Sequence, residues 1–125
     1  MNPKNKEGWT PLHEAAHGGH EEICRLILKN TDKINPSDEN GISPFHIAAR
    51  EGHIQVIKLF HEYLEDKNPP DQNGWTPLHD AALSGQWKIC ELITDNVEDT
   101  NPADNQGRTP KEIWLKKAQE LGDMF

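Results

Sequence analysis

The chain has 125 residues, 34% of them hydrophobic and 6% aromatic, with a formal net charge of −8. That charge argues against a nucleic-acid or anionic-lipid surface, since both need clustered cations, and no apolar run approaches the ~20 residues of a membrane span. One domain covering residues 1–125 fits this length, and so low an apolar fraction suits an elongated chain whose units touch only their neighbours. The opening "MNPKNKEGW" lacks the apolar stretch of a secretory signal, and two cysteines then read as reduced thiols in the cytoplasm, or in the nucleus.

Taken in order, the elements repeat. From Gly8, "GWTPLHEAAHGGHEEICRLI" gives a capping Thr10, a proline in the first turn, a short helix ending at Gly19, and a longer helix with Ile23, Leu26 and Ile27 as core positions. From Gly41, "GISPFHIAAREGHIQVIKLF" repeats the plan, with Ser43 as cap, Gly52 as stop and Ile54, Ile57 and Leu59 facing inward. From Gly74, "GWTPLHDAALSGQWKICELI" has Thr76, Gly85 and Ile89, Leu92 and Ile93 in those roles. A degraded fourth copy, "GRTPKEIWLKKAQEL", starts at Gly107, so the period is 33 residues throughout. Between copies run "NPSDENG", "NPPDQNG" and "NPADNQG": an asparagine held extended by the following proline, then an aspartate turn, with a glycine three places on for positive φ. The units occupy about 5–37, 38–70, 71–103 and 104–125, and each is a turn, a short helix and a longer helix.

The first unit also contains H-E-x-x-H. His13, Glu14 and His17, with His20 beyond, match the letters of a zinc-protease helix. Recurrence argues against that chemistry. His13, His46 and His79 share one repeat position, whereas His17 aligns with Arg50 and Leu83, a variable place. The helix also stops at Gly18-Gly19, too early to hold a ligand pair in its middle. Cys24 and Cys90 lie two units apart, beyond the ~7 Å that a disulfide tolerates. No nucleophile has a base beside it and no glycine loop cradles phosphate, so no catalytic residue, metal or cofactor is expected.

The period and the phrase "TPLHxAA" resemble the ankyrin repeat over nearly the whole chain. The resemblance implies an all-α repeat solenoid: a β-turn hairpin plus two antiparallel helices per unit, three full units and a partial C-terminal cap. Thr31, Leu64 and Val97 depart from it, standing where a glycine usually follows the second helix. The histidine of the phrase is implied to be structural, bonded near the turn of the stack.

The resemblance also implies a protein partner, bound on the concave side by hairpin tips and short helices. The tips are Lys6, Glu7 and Trp9; Glu39, Asn40 and Ile42; Gln72, Asn73 and Trp75; Asn105, Gln106 and Arg108. On the short helices, His17, Arg50 and Glu51, then Leu83 and Ser84 are the contact positions, with Gly18 beside His17. Trp9, Ile42, Trp75 and Arg108 fall one period apart. Two readings stay open for this row: direct contact, since Trp and Arg dominate interface hot spots, or simple cover for the hairpin. Trp87 is expected to pack, Trp114 to be core, and Leu115 and Leu121 to sit inside a polar C-terminal cap. The first unit has no such polar outer face, which suggests a piece of a longer array, a partner over that end, or weak self-association there by an otherwise monomeric chain. The net charge is most negative over residues 73–105, where Glu91, Asp95, Glu98 and Asp99 cluster, read as a solvated outer face.

The leading expectation is therefore a non-catalytic protein-binding module. Alternatives are a regulatory or targeting segment of a larger enzyme or channel, or a substrate for asparagine hydroxylation. For the last, the resemblance points to Asn35, Asn68 and Asn101, though the prolines after them are atypical.

Overall fold

The computed structural model describes residues 8–31 and 36–123. Among them are seven helices and no strand: α1 (Pro11–Gly18), α2 (Glu21–Lys29), α3 (Pro44–Glu51), α4 (Ile54–Tyr63), α5 (Pro77–Leu83), α6 (Trp87–Thr94) and α7 (Pro110–Asp123). α1, α3, α5 and α7 pack side by side as an inner row, and α2, α4 and α6 form an outer row behind the first three. This is the repeat solenoid expected from the 33-residue period.

Local sequence explains the starts of α1, α3 and α5 and the ends of α1 and α3, whereas α2, α4 and α6 start without a side-chain cap and α5 ends at Ser84, one residue before the expected Gly85. Thr10, Ser43 and Thr76 cap the short helices, each followed by a proline whose missing N–H costs nothing there. The cap is reciprocal. In the second unit the Ser43 hydroxyl accepts from the His46 backbone N–H at 3.4 Å, and His46 Nδ1 accepts from the Ser43 N–H at 3.1 Å. Histidine thus plays the part that Glu or Gln takes in an ordinary capping box. Gly19 and Gly52 end α1 and α3 at φ 70° and 82°, a region costly for other residues. The atypical Leu64 needs no such freedom, since it leaves α4 in an extended conformation and is buried.

The core lies between the two rows. Ala15-Ala16, Ala48-Ala49 and Ala81-Ala82 are at most 4% exposed, small enough to let the inner helices approach closely. Phe45 and Phe60 stack at 5.5 Å across the second unit, among Val56, Ile57, Leu59, Ile89 and Ile93.

Several expected core positions are not core. Ile23 and Leu26 are 50% and 60% exposed, because α2 packs chiefly on α1 and α4, which leave that face uncovered; Cys24 and Leu28 are buried instead. At the other end Trp87 is 56% exposed, Leu115 56% and Leu121 49%, so these are surface residues and α7 is not a closed polar cap. Trp114 is only half-buried. The cause is a missing neighbour: behind α7 no outer helix continues the α2–α4–α6 row among the described residues. A slot of about 610 Å³ remains there, lined by Trp87, Cys90, Trp114 and Leu115 among others.

Candidate functional site

The hairpins that precede the short helices are built alike. Asp38 Oδ1 accepts from the N–H groups of Asn40 and Ile42, and Asp71 and Asp104 do the same in their own hairpins. Gly41, Gly74 and Gly107 complete the turns at φ 75° to 80°. Neighbouring hairpins are joined edge to edge: Asn105 N–H donates to the Asn73 carbonyl at 2.8 Å, and the Gln72 and Asn105 side-chain amides donate to the carbonyls of Glu39 and Gln72. Those two amides, expected as partner contacts, are committed to the stack.

The recurring histidine ties each short helix to the next hairpin. His13 Nε2 lies 2.8 Å from the Ile42 carbonyl, His46 Nε2 2.8 Å from that of Trp75, and His79 Nε2 2.9 Å from that of Arg108. Since Nδ1 accepts a backbone N–H in every case, the proton sits on Nε2 and donates outward. Burial pushes His46 and His79 below the ordinary histidine range, against the pull of the accepting carbonyls. With both ring nitrogens of His13 used by the fold, the zinc spelling has no free ligand at its first position. His53 has a related duty, its Nε2 donating to the His17 carbonyl at 2.9 Å.

Asn68 and Asn101 are also structural. Asn68 Oδ1 accepts from the Leu78 N–H at 3.0 Å and Asn101 Oδ1 from the Lys111 N–H at 3.1 Å, so each amide anchors a loop to the start of the following short helix. Their own backbone N–H groups donate to Asp66 and Asp99. Asn35, like Lys6 and Glu7, lies outside the described residues.

Six expected contact residues meet in one place. Ile42, Arg50, Asn73, Trp75, Leu83 and Arg108, with Asp71 and Asp80, line a cavity of about 290 Å³ between the hairpins and α3 and α5. Trp75 is its centre. The ring stacks on His79 at 4.8 Å, and the Arg108 guanidinium lies over it at 5.4 Å from the ring centre. Arg108 is held by Asp104, Nε to Oδ2 at 2.8 Å. Burial works to raise the Asp104 carboxyl, but the backbone N–H and guanidinium of Arg108, with the Gln106 N–H, hold it below the usual range. Trp9 repeats the arrangement one end away, stacked on His13 at 5.9 Å and near His17 at 5.6 Å. Both tryptophans therefore cover a histidine and are themselves only partly buried.

Asp80 was not legible as a site residue. It holds the position of Glu14 and Ile47, a place that varies between units, and that variability was the available signal. It is 8% exposed, and burial pushes its carboxyl up to about 7; the Trp75 indole N–H and Arg50 act against the rise, Asp71 with it. On the neighbouring short-helix surface, Glu51 lies 3.8 Å from His17 and 3.9 Å from Arg50, which links contact positions of the first two units. Glu39, Asn40, Ser84 and Gln106 stand on this same side without entering the cavity.

Stacked helix pairs, hairpins bonded edge to edge and a histidine passing from each unit to the next define a helical repeat solenoid. The family pattern for ankyrin repeats in three copies matches residues 1–71 and again 31–106. The chain belongs to the ankyrin-repeat family. Protein phosphatase 1 regulatory subunit 12A of Mus musculus is 57% identical to it over 30 residues, which make up 24% of this chain and 3% of that protein. The Rattus norvegicus counterpart gives the same figures. The match thus spans a very small part of those relatives.

Proposed function

We propose that this chain is a non-catalytic module that binds a protein partner on its concave side, through the hairpins and the exposed flank of α1, α3 and α5. The observation that carries the reading is the cavity around Trp75. It gathers residues that differ between units onto a frame that repeats. The frame is fixed before any partner arrives, so little ordering entropy is lost on binding. Leu83 is 50% exposed in the cavity wall, an apolar surface with no structural duty of its own. The named relative is a regulatory subunit, which supports the related reading that this module directs a larger assembly.

The test is affinity capture followed by titration with whatever is captured. Leu83→Ala and Arg50→Ala are expected to weaken binding by roughly tenfold or more each, as central contacts do. Lys58→Ala and Glu62→Ala, on the outer row, are expected to leave it unchanged. Loss on the outer-row variants with retention on the cavity variants would refute the proposal.

A further inference from the structure

The cavity holds four charged side chains, and they are not equally matched. The Arg108 guanidinium already has the Asp104 carboxylate at 2.8 Å, and Arg50 faces Glu51 at 3.9 Å. Asp71 spends Oδ1 on the N–H groups of its own turn. Asp80, at the floor, forms no ion pair among the described residues, although it is the most deeply buried of the four. Its contact is the Trp75 indole, whose ring also stacks on His79 and lies near the Arg108 guanidinium. A buried acid whose nearby cations form no direct ion pair with it is expensive to ionise unless something completes it.

Resting on the function proposed above, we infer that this cavity receives a lysine or arginine side chain of the partner, whose cationic head pairs with the Asp80 carboxylate. The dimensions suit it. About 290 Å³ accommodates one long side chain, Ile42, Leu83 and the Trp75 edge supply apolar wall for its methylenes, and the chain's net charge of −8 favours approach of a basic segment. An acidic side chain would find both guanidinia already opposed by carboxylates and a third carboxylate beneath it.

Binding is then linked to a proton. Without the partner, burial holds Asp80 half protonated near pH 7; the cation requires the ionised form, so the proton leaves to solvent. The charged groups facing Asp80 are Arg50 from α3, Asp71 from its own hairpin and Arg108 from the following hairpin, while α6 and α7 add none to the walls. Affinity is therefore expected to be about tenfold weaker at pH 6 than at pH 8.

Selection of displayed random peptides on the full chain at pH 8 tests this. Binders that weaken on Leu83→Ala occupy the cavity; they are expected to share a lysine or arginine at one position, to weaken at least tenfold on Asp80→Asn, and to show the stated pH dependence. If Asp80→Asn does not fold, the Asp80 carboxyl carbon shift, followed with and without a selected peptide, is expected to show the group ionising at lower pH when the peptide is bound. Cavity binders that carry acidic or neutral residues there, or that ignore both Asp80 and pH, overturn the inference and leave the proposed function standing. Peptides that bind with no dependence on Leu83 or Arg50, or a library that yields no binder, count against both.

Discussion

Replacing His61 with leucine is expected to make the protein more stable. His61 sits near the end of α4 with its ring 5.4 Å from Phe45, and neither ring nitrogen has a hydrogen-bond partner. The same position in the first unit is Leu28, 3% exposed. An unsatisfied buried polar group costs about 1–3 kcal/mol, and the shape change on going to leucine takes back less than ~1.5. The net gain at pH 7 is about 1–2 kcal/mol. With a urea slope of ~1–3 kcal/mol per molar for a small domain, the midpoint moves up by roughly 0.5–1 M. The effect also grows with acid. Burial, helped by Lys67, lowers the His61 ring from 6.5 to about 4, so the unfolded chain takes up a proton in this window that the folded chain refuses. Stability from the neutral ring is complete above pH 6.5 and is lost as pH falls towards 4, at most ~1.4 kcal/mol per unit. His61→Leu lacks that loss, so the gap between the two proteins should widen from pH 7 to pH 5. Urea titrations at both values check it; an unchanged midpoint at pH 7 with no widening at pH 5 would refute the reasoning.

Three further outcomes are expected. His46→Ala removes a cap partner and the bond to the Trp75 carbonyl together, and should cost about 3 kcal/mol or more by urea denaturation. Thermal melts of the wild type should fall between pH 6.5 and 5, since His46 and His79 are held below the ordinary range like His61 and favour the unfolded chain once it protonates. Gly74→Ala should be worse than Gly107→Ala by about 1 kcal/mol, the cost of crowding a well-packed site. Both glycines have φ near +80°, but a Cβ on Gly74 would stand 2.7 Å from Asn105 Oδ1 and 3.0 Å from its backbone nitrogen, while one on Gly107 meets nothing within 4 Å.

The frame was open to reading because its causes are local. Thr10, Gly52 and His46 sit where caps, stops and turns demand them, and the period says that the demand recurs. Periodicity fails where a neighbour decides the outcome. Ile23 and Leu26 lie on an apolar face, yet a face is buried only if something covers it, and Trp87 has the same fault at the opposite end. The Asn68 amide bonds Leu78 ten residues on, a distance fixed by the return of the loop rather than by spacing along a helix. Asp80 escaped for a different reason: an acid in a short helix reads as solvent-facing until the Trp75 ring above it is known.

The histidine bond has a direction. It leaves the short helix of one unit and lands on the hairpin of the next, at Ile42, Trp75 and Arg108 in turn. In the fourth unit the equivalent place is Glu112, whose backbone N–H still bonds the capping Thr109 but whose carboxylate has no proton to hand onward. The array consequently has a polarity like that of a zip. Trimming it from the Arg108 side leaves a histidine donor without its acceptor at every step, whereas trimming from the Gly8 side leaves a carbonyl without its donor.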